Sequence, residues 1–293
     1  MKARGCRPRT IEVATSAVRH FLGEQGDLDD ISTARLRQRI DLRLKTPTGR
    51  MLDGEMPRPR AVASVASELR QAKRFLRWAA SRGIWRVPAG FSELTVEGPR
   101  SEGKEQLSAD EARAFLEEGV RRARGGDEGA LAAVAVLLLA VRSRELLDRR
   151  VRDLDDGGAV LWMRRWAKTR KSRRRVCVPE PLRTLLQEQV EDRQPGSLIF
   201  GELEGEAAPR SSSWLADQVR SLCAAAGVTV VCPHGLRGTH STLAEAAGAS
   251  PEVVAASLGH TSPAVTGRHY TLPHVRQDAQ QERALKVMQG GRR

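Results

Sequence analysis

Aromatic side chains are scarce in this chain: one Tyr, five Trp and five Phe among 293 residues, 4% in all. Sheet-rich cores lean on aromatic and β-branched residues, so the expectation is a mainly α fold with a small β-hairpin or sheet. Lysine is scarce too, with seven among the 49 basic residues. The four cysteines, Cys6, Cys177, Cys223 and Cys232, form no C-x-x-C pair. That excludes a zinc-finger pattern and a disulfide framework, and reads as reduced cytoplasmic thiols. Long apolar runs are missing. The longest, 130–141, has 12 residues, short of the roughly 20 that span a bilayer. The N-terminal MKARGCRPRT carries no apolar stretch of a secretion signal. Membrane and secreted classes are therefore set aside, and a cytoplasmic location is expected.

What is present is positive charge: +13 overall, with an isoelectric point near 10.6. Such a balance attracts polyanions, nucleic acid first among them. An Arg-rich, Ala-rich chain also follows from GC-rich coding, so composition alone leaves nucleic-acid binding open. The length exceeds one ordinary domain of about 100–200 residues, and two domains are expected. Over positions 1–100 there are 20 basic and 11 acidic residues, nine of the thirteen net positive charges. Apolar spacing there predicts helices over 10–22, from Ser32 or Thr33 through Leu44, and over 60–81, with a Pro- and Gly-bearing loop over 45–60. A basic helical module without catalytic-looking residues resembles a clamp on a phosphate backbone. The stretch 97–103 (EGPRSEG) is the best linker candidate. The expected division is a helical domain over 1–98, a linker over 99–103 and a second domain over 104–293.

The second domain opens on Ser108-x-x-Glu111, a capping box before an apolar-periodic helix over 108–124. A helix over 127–141, apolar nearly all round, is expected to be buried. The stretches 159–163 and 175–178 are β-prone and flank a basic turn, a hairpin pattern in which eight of the twelve residues 164–175 are basic. Further helices are predicted over 180–191, 211–226, 236–247 and 251–258, and the charged tail 275–289 is helix-compatible.

Five of the six histidines, His234, His240, His260, His269 and His274, fall within 41 residues, with Tyr270 among them. No H-E-x-x-H is present, and no acidic residue lies between these histidines at ligand spacing, so no metal is expected. A different chemistry fits. In PHGLRGTH, 233–240, His234 and Arg237 stand three apart at the entry to a helix, where an Arg fork, an imidazole and exposed N–H groups suit a phosphate. A phenol with a pKa near 10 becomes a useful nucleophile once cations stabilise its oxyanion and a base accepts its proton. His and Arg supply both.

Taken together, these residues resemble the tyrosine recombinases, the phage integrase family. PHGLRGTHSTLAEAAGASPEVVAASLGHTSPAVTGRHYT looks like that family's C-terminal signature, with H-x-x-R at His234 and Arg237, L-G-H at His260 and R-H-Y-T at Tyr270. Upstream, VRSRELL over 141–147 is similar to the family's G-L-R-x-S-E-L. This places its first catalytic arginine at Arg142, with Ala140-Val141 where the family has Gly-Leu and with Glu145 as an acid able to orient an arginine. The run WAKTRKSRRRV, 166–176, stands where the family carries a hairpin lysine; Lys168 takes that position, and Lys171 remains an alternative. Within the first hundred residues, DLDDISTARL and KRFLRWAASRG look like phrases of the family's core-binding domain.

The resemblance implies a two-domain architecture, a helical core-binding domain plus a mixed α/β catalytic domain, and a metal-free, cofactor-free transfer of DNA strands. Tyr270 would form a 3′-phosphotyrosyl bond, Arg142 and Arg237 would clamp the phosphate, and Lys168 would protonate the leaving 5′-oxygen. His234 would accept the phenolic proton, and His260 would hydrogen-bond the phosphate. Arg165, Arg170, Lys171, Arg173, Lys73 and Arg77 are candidate DNA contacts. Implied partners are double-stranded DNA with specific recombination sites and three further copies of the chain, a tetramer on nucleoid DNA. A type IB topoisomerase-like nicking enzyme and a non-catalytic DNA-binding relic are the alternatives.

Overall fold

Ser108 starts the larger unit as its sequence pattern predicts. Its hydroxyl accepts the Glu111 amide at 3.2 Å, and the Glu111 carboxylate accepts the Ser108 amide at 2.8 Å. The computed structural model describes residues 8–23, 28–47, 59–98, 103–163, 174–201 and 208–259. The chain divides into two compact units, Met1–Glu102 and Gly103–Arg293.

The first unit contains α1 (Pro8–Leu22), α2 (Thr33–Lys45) and α3 (Val62–Ser81). Ser32 caps α2 by accepting the Arg35 amide at 3.1 Å. Along α3 the buried residues Val65, Leu69, Ala72, Leu76 and Ala79 recur every three or four positions and face Phe21, Leu36 and Ile40 in one core. Gly83, at φ 71°, follows the C-terminus of α3 in the left-handed region. Arg43 of α2 donates to both oxygens of Glu68 on α3, at 2.7 and 3.1 Å. Trp85 meets Phe91 edge to face at 5.1 Å and closes the end of the core.

The second unit is built around α5 (Glu128–Leu139), in which every residue from Gly129 to Leu137 is buried. The helices α4 (Ala109–Arg124), α7 (Leu182–Val190), α8 (Ser212–Ala225) and α9 (Pro233–Ala246) surround it. This explains a sequence apolar on all sides. The short helix α6 (Ser143–Leu147) follows α5, and α10 (Pro251–Leu258) follows α9. Three short strands, β1 (Leu154–Asp155), β2 (Val160–Trp162) and β3 (Arg175–Cys177), form an antiparallel sheet in that order. Leu161 pairs with Leu154 on one side and Val176 on the other. The expected hairpin is thus β2 and β3, and β1 is an addition. Helix α9 begins three residues earlier than its apolar period suggests, because Pro233 occupies the first helical position, where no amide is needed. The tail 275–289 lies outside the described residues. Among the described residues no helix is long and apolar enough to cross a membrane.

Candidate active site

Helix α5 ends abruptly at Ala140, which adopts φ 50° and ψ 35°, left-handed backbone that an L side chain resists. This is the position where the resembled motif has glycine. The turn sends the chain into α6 with Arg142 at its N-cap. Glu145, one turn on, accepts the Arg142 amide at 3.0 Å and the Arg142 guanidinium Nη1 at 2.7 Å. One carboxylate therefore both caps the helix and orients the arginine.

Two more arginines converge on Glu145. Arg174, just before β3, places Nη1 3.5 Å from Oε1 and Nη2 3.2 Å from Oε2. Arg237, on α9, approaches Oε2 with Nη1 at 3.9 Å. Burial alone pushes the Glu145 carboxyl up. The charge of Arg174, the Arg142 amide and the charge of Arg142 outweigh it and hold the carboxyl down at about 2.

Arg237 is fully buried. Its guanidinium donates to the Ala140 carbonyl and to the Leu258 carbonyl, the latter at 2.6 Å. It joins the C-terminal ends of α5 and α10, where carbonyl dipoles favour a cation. His234 is exposed in the first turn of α9, one turn before Arg237. His240, further along α9, is mostly buried and bonds the Leu137 carbonyl through Nδ1 at 3.0 Å; burial lowers its pKa, with Arg237 adding to the effect. Helix α9 is itself held by the segment before α4. The Leu107 amide donates to Thr239 Oγ1 at 2.9 Å, and Thr242 Oγ1 donates to Gln106 Oε1 at 2.7 Å.

The structure thus brings Arg142 and Arg237 to one carboxylate, with His234 on the same helix as Arg237. Lys168, His260 and Tyr270 lie outside the described residues, as do Arg165, Arg170, Lys171 and Arg173. Lys73 and Arg77 sit on α3 in different surroundings. Lys73 is buried; its ammonium donates to the Ser92 and Leu94 carbonyls, both at 3.0 Å, over the Phe91 ring at 5.2 Å. Desolvation lowers its pKa, and the neighbouring Arg77 lowers it further. This lysine ties the Ser92 and Leu94 carbonyls to α3, with two of its three ammonium donors spent on them. Arg77 is exposed, on a face of α3 shared with Arg70, Arg74 and Trp78.

Sequence reading did not single out Arg174 or the fully buried Arg149. Arg149 donates through Nε to the Glu145 carbonyl at 2.7 Å and through Nη1 to the Trp162 carbonyl at 3.1 Å and Asp153 at 3.3 Å. It binds α6 to the end of β2. Both arginines lie in basic stretches where nothing local marks one from another. Among the described residues no group of His, Cys, Asp and Glu is placed to hold a metal ion.

A family model described as the phage integrase family matches residues 107–276. The integrase of Mycobacterium phage D29 is 28% identical over an alignment of 179 residues that covers 54% of this chain and 47% of that protein. The match therefore spans about half the length of that relative. A Tn1549 transposon integrase, solved in complex with a circular intermediate DNA, is similar at a TM-score of 0.70 and 15% identity, with 96% of each chain covered. A lambda integrase, solved as a tetramer bound to a Holliday junction, gives a TM-score of 0.62 at 18% identity, covering 89% of this chain and 71% of that one. At these identities the likeness to the two solved structures is one of fold.

Proposed function

This chain belongs to the phage integrase family, and from that premise we propose that it cuts and rejoins DNA at specific sites through a covalent 3′-phosphotyrosine intermediate. The observation that carries the proposal is the convergence of Arg142 and Arg237 on Glu145. Two guanidinium groups, held by one carboxylate and the ends of two helices, leave the cluster positive where a phosphate would need neutralising.

In the proposed reaction the Tyr270 oxygen attacks the scissile phosphorus. The phenolic proton passes to His234, the P–O5′ bond breaks, and Lys168 protonates the departing 5′-oxygen. Arg142 and Arg237 hold the non-bridging oxygens, and His260 donates a hydrogen bond to one of them. On DNA, Arg237 exchanges one of its two carbonyl partners for a phosphate oxygen. The tyrosyl ester keeps the energy of the phosphodiester, so the 5′-hydroxyl of a second strand restores the backbone by the reverse steps. Neither a metal nor a nucleotide enters this balance.

Exchange between two duplexes breaks four strands, and a homo-tetramer supplies four nucleophiles. The exposed face of α3, with Arg70, Arg74, Arg77 and Trp78, is the proposed phosphate contact of the first unit. Lys73 is left out of that surface.

The test is covalent attachment. The chain is incubated with DNA carrying its flanking sequence, with and without EDTA, and the protein–DNA adduct is resolved after denaturation. Wild type should form the adduct equally in both conditions. Tyr270→Phe should bind DNA and form none; an adduct from that variant overturns the assignment. Lys168→Ala should slow cleavage by about 10²–10⁴-fold. A substrate with sulfur at the bridging 5′ position, whose thiolate leaves without a proton, should restore most of that rate. Rescue of Lys171→Ala instead would move the role to Lys171.

A further inference from the structure

Glu145 carries one negative charge and faces three guanidinium groups, so the way its two oxygens are shared decides what each arginine can still do. Arg142 uses Nη1 and its amide on Glu145, and 38% of its side chain remains exposed. Arg174 takes positions on both Glu145 oxygens. It also donates through Nε to the Ser257 carbonyl in the last turn of α10, at 2.8 Å. Its own carbonyl accepts the Met163 amide at 2.9 Å, at the base of the β2–β3 hairpin. Its side chain is only 9% exposed. A Cβ at Gly259, immediately after α10, would lie 2.9 Å from Arg174 Nη1.

From this we infer that Arg174 is a positioning residue: it occupies Glu145 so that the Arg142 guanidinium stays open toward a phosphate, and it holds the end of α10 against the same carboxylate. The inference rests on the proposed function. Its physical basis is competition. A carboxylate relieved of Arg174 would draw Arg142 into a two-pronged pair, the geometry that guanidinium and carboxylate prefer. The cluster would also fall from three positive charges around one negative to two. All three guanidinium nitrogens of Arg174 are engaged by Glu145 and the Ser257 carbonyl, whereas Arg175, next in the chain, is exposed.

The consequence is selective. Removing Arg174 should weaken stabilisation of the charge that develops on the non-bridging oxygens and leave ground-state DNA binding nearly intact, because binding draws on many exposed arginines. The experiment uses the full chain and measures two quantities, DNA affinity and the single-turnover rate of adduct formation. The substrates are ordinary DNA and DNA carrying a methylphosphonate at the scissile position, where one charged non-bridging oxygen is replaced by a neutral methyl.

Arg174→Met should form the adduct on ordinary DNA about a hundredfold more slowly than wild type, the scale expected when a catalytic group is misplaced by about an ångström. Its DNA affinity should stay within about threefold, and the rate defect should shrink at least fivefold on methylphosphonate DNA. Arg174→Lys, which keeps the charge but not the fork, should fall between Met and wild type. A rate within twofold of wild type overturns the inference. So does a loss confined to affinity, or an equal defect on both substrates, the mark of a residue that merely supports the fold. Should Arg174→Met fail to fold, Arg174→Lys is judged by the same comparison. Absence of any adduct from wild type is a different result: it overturns the functional reading itself, and this inference with it.

Discussion

Gly235 of α9 lies so close to the Glu105 carbonyl that a Cβ at position 235 would overlap the oxygen. The backbone before α4 therefore runs directly across the helix that carries His234 and Arg237. Three residues on, a Cβ at Gly238 would meet Gln106 Nε2 at 2.7 Å. The two contacts differ in what can yield: a main-chain carbonyl in one case, the end of a flexible side chain in the other.

Gly235→Ala should thus be the costlier substitution. Overpacking against backbone costs about 1–3 kcal/mol, whereas Gly238→Ala should cost less, because the Gln106 side chain can shift at the expense of its hydrogen bond from Thr242. Thermal or urea unfolding of the two variants checks the order. Equal losses would show that the Glu105 segment moves as easily as the Gln106 side chain.

Ala140 holds a left-handed backbone while its methyl packs with Val254 and Leu258. Ala140→Gly relieves about 1–2 kcal/mol of backbone strain but gives back about 0.4–1 kcal/mol in unfolded-chain entropy and loses the methyl contacts. Stability should change by less than about 1 kcal/mol. Ala140→Val, β-branched in a left-handed turn and oversized for its pocket, should lose about 2 kcal/mol or more. A Val variant as stable as wild type would mean that the turn before Arg142 can be remade.

Glu145 gives the fold an acid-sensitive element. Its carboxyl is held at about 2 against an ordinary 4.5, so the folded state favours the charged form. The stability this adds is fully present above pH 4.5 and is lost as pH falls toward 2. Its ceiling is on the order of 3 kcal/mol. Glu145→Gln should lower stability at pH 7 and flatten its decline between pH 4.5 and 2. Glu111, also held at about 2, first by the Thr229 hydroxyl and next by the Ser108 amide, leaves a residual slope in the same window. A denaturation series across that range tests both, and an unchanged slope in Glu145→Gln would contradict the assignment.

Lys73 and Arg77, four residues apart on α3, should separate stability from DNA affinity. Lys73→Met removes the donor to the Ser92 and Leu94 carbonyls and should cost about 1–3 kcal/mol, with little change in DNA affinity once the chain is folded. Arg77→Ala should leave stability nearly unchanged, weaken DNA binding and reduce the slope of log affinity against log salt by about one. The opposite pattern would place the phosphate contact on Lys73.

Helices were legible because each buries one stripe, and the stripe is written at intervals of three and four, as in Val65, Leu69, Ala72, Leu76 and Ala79. Helix α5 was legible for the complementary reason, since only a central helix can be apolar all round. The hairpin showed in its β-prone flanks, but β1 did not: Leu154 and Asp155 become a strand only by pairing with Leu161 and Val160. The motif residues Arg142, His234 and Arg237 stood out in the sequence through their spacing. What local spacing could not show is direction. Among eight basic residues in twelve, nothing distinguishes Arg174, because its role depends on Glu145 and Ser257, which are 29 and 83 positions away. Lys73 reads as one more surface charge until Phe91 and two carbonyls fold over it. Local sequence sets which residues form helices and which are charged. Whether a given charge meets solvent, a phosphate or a buried carboxylate is decided by contacts between distant segments, and only the packed chain brings those together.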